Sequence, residues 1–132
     1  MADHAQRIAH QTVREGMVNP IRLPWPPAEC SPNTKVHWAV KAKAAKAYRK
    51  TCWALAVEAG AKAAESGDIW LHITFCPPKK WTHGDRDNLV ARMKPGFDGL
   101  ADALKVNDRR FRLAGMDILP DSKYGPCVVV EM

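Results

Sequence analysis

From His37 to Glu65 the chain has no proline and is dense in alanine, and this stretch sets the architecture. Alanine has the highest intrinsic helix propensity and proline by far the lowest, so a helix over 37–65 is expected. Gly60 lies inside it at a cost of roughly 1 kcal/mol relative to alanine. Ser66-Gly67 supplies the stop, with Gly67 free to take the left-handed cap conformation. Tyr48, Cys52, Leu55 and Ala59 recur at four- and three-residue steps and make one apolar stripe. Lys41, Lys43, Lys46, Arg49 and Lys50 occupy the other faces. Trp38 and Trp53, like Trp70 further on, read as core.

The segments on either side are shorter and punctuated by proline. Ile21 to Trp25 alternates as a short strand, and Pro24 places it at a sheet edge or end. Pro26, Pro27, Ser31 and Pro32 impose an extended loop. Ile69 to Phe75, with Ile69, Leu71, Ile73 and Phe75 on one side, is the clearest strand. A second helix is expected from about Arg86 to Leu104, with Leu89, Met93, Phe97, Leu100 and Leu104 on one face. Two late strands, Arg112 to Leu119 and Cys127 to Glu131, flank a turn-rich segment. Trp25 and Trp81 lie in proline-rich loops, where they are candidates for stacking on bases. The expectation is one α+β domain over 21–132, a small mixed sheet packed against two helices in the order β-α-β-α-β-β. Residues 1–20 read as a polar extension.

A chain of 132 residues can bury one real core. No stretch reaches the ~20 apolar residues of a bilayer span, and the first ten residues lack the apolar centre of a secretory signal. A cytoplasmic protein is expected. Cys30, Cys52, Cys76 and Cys127 are too scattered for a zinc knuckle or a disulfide framework and suit packing roles in a reducing compartment. His37 and His72 read as structural, while His83 lies close to Asp85. The net charge of +6 permits a polyanionic partner.

Chemistry concentrates in Asp85-Arg86-Asp87-Asn88, Lys94, Asp98, Asp102 and Asp108. Asp85 and Asp87, two apart at a loop-to-helix junction, would aim both carboxylates to one side in extended backbone, roughly 6–7 Å apart at Cα. Lys94 and Asp98 follow Asp87 near whole numbers of helical turns. Carboxylates gathered within ~4 Å repel by about 4 kcal/mol per pair at an effective dielectric near 20, so such a cluster needs a cation, a proton or basic neighbours. Mg²⁺ suits oxygen ligands and leaves room for a phosphate oxygen and a water. The same residues also fit plainer roles: Asp87 and Asn88 as helix caps, Asp85 as a favourable dipole charge, Asp98 and Asp102 as a solvated face. Nine basic residues lie between Lys79 and Arg112 among five aspartates, and Ser31 to Val57 contains no acid at all. Carboxylates at a focus with basic groups around them suit a metal nuclease.

At these residues the sequence resembles the RusA-type Holliday-junction resolvases, many of them from phages or prophages. The resemblance covers roughly Ile21 to Met132. It is carried by Leu23-Pro24-Trp25-Pro26-Pro27, Ser31-Pro32-Asn33, Val36-His37-Trp38, Tyr48-Arg49 and Phe75-Cys76-Pro77-Pro78. The acidic block Asp85-Arg86-Asp87-Asn88-Leu89, then Lys94 to Asp98, Gly99 to Leu104 and Asn107-Asp108 complete it. It implies a Mg²⁺-dependent endonuclease, with Mn²⁺ as a possible substitute. The enzyme would be a homodimer making paired cuts in a four-way DNA junction during recombination or repair and leaving 5′-phosphate nicks. The resemblance places the essential carboxylates at Asp85, Asp87 and Asp108 and the functional lysine at Lys94, with Asn88 and Asp98 in support. Asn33, Lys35, Lys79, Lys80, Arg86, Arg109 and Arg110 are the candidate DNA contacts. Here Lys94 stands about one helical turn further from Asn88 than in the family's compact form, and Pro95, following it, is expected to kink the helix near Ala91. Asn107 stands where a second aspartate is common. A non-catalytic DNA-binding module and a less selective nuclease of flaps or branched nucleic acids are the alternatives.

Overall fold

The computed structural model describes residues 20–79, 81, 86–120, 123 and 125–132, with Arg86 and Asp87 described through their backbone alone. The N-terminal extension, apart from Pro20, lies outside these residues. Four strands, β1 (Ile21–Pro24), β2 (Ile69–Cys76), β3 (Phe111–Ile118) and β4 (Cys127–Glu131), form one mixed sheet in the order β1-β4-β2-β3. Three helices accompany them: α1 (Trp38–Glu58), α2 (Arg86–Arg92) and α3 (Lys94–Leu104). The chain is thus mixed α+β, and among the described residues no helix is long and apolar enough to cross a membrane.

Period-two alternation builds the sheet. Ile69, Leu71, Ile73 and Phe75 of β2 all point to one buried face. In the antiparallel pairs of β4 with β1 and β2, Val128 stands between Leu23 and Phe75, and Val130 between Ile21 and Ile73. Tyr48, Cys52 and Ala56 of α1, Leu89 of α2 and Leu100 of α3 close over that face, as does Met93 between the two later helices. Each large aliphatic or aromatic side chain buried this way contributes about 1.5–3 kcal/mol. Strand β3 runs parallel to β2, which requires the crossover that α2 and α3 supply.

The tryptophans reverse the sequence expectation. Trp38, Trp53 and Trp70, expected in the core, are 75%, 43% and 57% exposed. Trp25 and Trp81, expected to be available for stacking, pack against the core instead: Trp25 meets Phe75 and Trp81 edge-on, at centroid distances of 6.0 and 6.2 Å. The Arg92 guanidinium lies over Trp25 and donates to the carbonyls of Pro26 and Pro27. The proline-rich loop is therefore pinned to the helices.

Helix ends differ as well. The His37 imidazole caps α1 by accepting from the Ala39 amide at 3.1 Å. The helix stops at Glu58, because Gly60 takes φ +74°, a left-handed conformation that terminates rather than continues it. The second helix is divided at Met93. Pro95 has no N–H to offer the Ala91 carbonyl, so α2 ends at Arg92 and a new helix begins at Lys94 with proline in its tolerated first turn.

Candidate functional site

Lys94, Asp98 and Asp108 converge. Lys94 opens α3 and Asp98 follows one turn later on the same side, so the Lys94 Nζ donates to Asp98 Oδ1 at 2.7 Å. Asp108 arrives from the far end of α3. Lys105 caps the helix in the left-handed conformation, at φ 57° and ψ 43°, and reverses the chain. Asn107 then accepts from the Arg109 amide through its side chain and starts the short 3-10 turn Asp108–Arg110. That turn delivers Asp108 to the same Lys94 ammonium, which donates to Asp108 Oδ2. Asn107 thus holds the turn that aims Asp108.

The charges are mutually tuned. Hydrogen bonding to Lys94 holds the Asp108 carboxyl below the usual carboxylate range, and Asp108 followed by Asp98 raises the Lys94 ammonium. Beside them, Arg49 of α1 makes a two-pronged pair with Asp102, at 2.7 and 2.9 Å. This lowers the Asp102 carboxyl and raises the guanidinium. Asp102 is therefore a partner of α1 rather than a merely solvated group. Arg49 was legible only as one more cation on the first helix. What brings it here is Gly99, where an added Cβ would stand 2.3 Å from the Arg49 carbonyl oxygen and 3.0 Å from the Trp53 amide nitrogen. Only a glycine lets α1 and α3 approach so closely.

Two hollows meet at this cluster. A polar one of about 190 Å³ is lined by residues that include Arg49, Asp98, Asp102 and Asp108. A more apolar one of about 200 Å³ is lined by residues that include Lys94 and Asp108 together with Leu71, Phe97, Phe111 and Leu113.

The remaining expected site residues distribute unevenly. Asp87 lies in the first turn of α2, with its side chain outside the described structure, as is that of Arg86; Asp85 and Lys80 lie wholly outside the described residues. His83, the weak neighbour of Asp85, lies there too. Asn88 is half-buried, and Asn33, Lys35, Lys79 and Arg109 are exposed. Arg110, expected to contact DNA, is engaged structurally: its guanidinium donates to the carbonyls of Ala64 and Gly67 and ties down the loop before β2. His72 pairs with Asp117 at 2.9 Å across β2 and β3. Among the described residues no group of three or more histidine, cysteine, aspartate or glutamate side chains is arranged to hold a metal.

A protein of Xylella fastidiosa (strain Temecula1 / ATCC 700964), described only as uncharacterized, is 43% identical over 94 residues. The match takes in 69% of this chain and 61% of the relative, so the chain spans less than two thirds of that relative's length. No protein-family profile and no solved structure matches the chain.

Proposed function

We propose that the protein is a divalent-cation-dependent, structure-selective endodeoxyribonuclease of the RusA type, acting as a homodimer on four-way DNA junctions. The observation that carries this reading is the return of Asp108 to the ammonium that Asp98 already holds, beside a helix whose sequence has no acid before Glu58. Two carboxylates close enough to share one ammonium are close enough to share one cation, and all their donors are oxygens, as Mg²⁺ prefers. Asp98 and Asp108 would hold the ion together with Asp85 and Asp87. Asp87 lies in the first turn of α2, on the helix that precedes the break at Met93.

When bound, the cation would supply Lewis-acid stabilisation of the charge that builds on the scissile phosphate. Lys94, turned from its carboxylates toward the phosphate, adds a positive charge at the same place. Asp108, held below the ordinary carboxylate range, is ionised at neutral pH. Water adds to phosphorus and the bond to the 3′ oxygen breaks, leaving a 5′-phosphate and a 3′-hydroxyl. The basic surroundings draw in the backbone.

Cleavage of a synthetic four-way junction tests this reading. Wild-type protein should cut it with Mg²⁺ and not with a chelator. Asp87→Asn and Asp108→Asn should each lose cleavage while keeping junction binding, since each removes a ligand and a charge that repels phosphate. Binding without cutting under every condition would instead identify a DNA-binding module. Equal cutting of flaps and junctions would identify a less selective nuclease.

A further inference from the structure

Of the three exposed tryptophans, Trp53 is set apart by its surroundings. Trp38 leans on the His37 ring at the start of α1, with a centroid distance of 5.4 Å. Trp70 alternates with Ile69 and Leu71 and so points from the face of the sheet opposite the helices. Trp53 lies in a groove of about 440 Å³, lined by Lys46, Arg49, Lys50, Trp53 and Asp102. Lys46, Arg49 and Lys50 precede Trp53 by seven, four and three residues, which on a helix is one face. Arg49 and Asp102 also line the polar hollow that holds Asp98 and Asp108, so the groove leads into the candidate site.

We propose that this groove takes an unpaired nucleotide of a DNA substrate, its base stacked on the Trp53 indole and its phosphates against Lys46 and Lys50. The inference rests on the nuclease reading and deepens it. A flat aromatic face flanked by cations matches how single strands are held, because every base has a π face and every nucleotide a phosphate. The Arg49 guanidinium is taken up by Asp102, which leaves the two lysines for the strand. A base inside a continuous duplex would have to leave an unbroken stack to reach Trp53, whereas at a branch point the stack is interrupted and a terminal pair opens at lower cost. Trp53 is therefore a source of selectivity for branched over continuous DNA.

Fluorescence anisotropy in a chelating buffer reads this without any cleavage. The probes are a labelled synthetic four-way junction and a continuous duplex of equal length. Trp53→Ala should weaken junction binding by about tenfold, within the range of one lost base–aromatic stack, and leave duplex binding unchanged. Trp53→Phe should restore most of the difference, and Trp70→Ala should change neither affinity. Should Trp53→Ala fail to fold, Trp53→Leu keeps apolar bulk without a π face and carries the same expectation. Equal junction affinity in wild type and variant, or equal losses on both probes, would overturn the inference while leaving the nuclease reading intact. Failure of the wild type to bind either DNA would overturn both.

Discussion

Lys94 serves two carboxylates at once, and that fixes how the cluster responds to pH. The Asp108 carboxyl is held below its ordinary value of 3.8, so its ion pair favours the folded state above that value and is lost as pH falls through the lowered one. The Lys94 ammonium is raised above its ordinary 10.5, so its contribution is complete below 10.5 and disappears as pH rises through the raised value. The pair therefore acts across the whole neutral range. Replacing the ammonium with an apolar chain of similar length isolates this effect. In Lys94→Met the Asp108 carboxyl should titrate higher than in the wild type, because its strongest hydrogen-bond donor and the positive charge that goes with it are gone. Carbon-detected NMR titration of the aspartate carboxyls would show the shift, and an unmoved Asp108 would contradict the geometry.

At the scale of elements, the close crossing of α1 and α3 determines which residues meet. Gly99→Ala should loosen it: roughly 1–3 kcal/mol of overpacking exceeds the roughly 1 kcal/mol by which alanine outranks glycine in a helix. The clash is with backbone of α1, which cannot rotate aside. Urea unfolding should show a net loss of stability, and the Arg49–Asp102 pair should weaken with it. This contact also marks where the sequence was readable and where it was not. The alternation of Ile69, Leu71, Ile73 and Phe75 has a period of two and stands out by itself. In α1 the abundant alanine dilutes the amphipathic pattern, so Trp53 and its neighbour Cys52, on opposite sides of the burial boundary, look equally suited to a core. Gly60 resembled a tolerated interior glycine because only its positive φ shows that it ends the helix. Lys94 and Asp98 could be paired by their spacing. The arrival of Asp108 depends on Lys105 taking a left-handed conformation, usually signalled by glycine and here carried by a lysine.

Across the whole molecule, charge and burial are segregated. Cations crowd α1, while the helix-facing side of the sheet and the inner helix faces form the buried core. The four thiols sample that interior at three places: Cys30 in the turn before α1, Cys52 in α1, and Cys76 opposite Cys127 in adjacent strands. All four are buried, and burial pushes the Cys52 thiol up to about 12. A thiolate is the reactive form, so the native protein should resist a colourimetric thiol reagent at neutral pH, whereas in concentrated urea all four cysteines should react. If the molecule opens as one cooperative unit, the four sulfurs will become reactive together along a urea series. A stepwise count would instead reveal a layer that opens first. The protein thus carries its own set of internal probes, set in the loop before α1, in α1 itself and at the seam between β2 and β4.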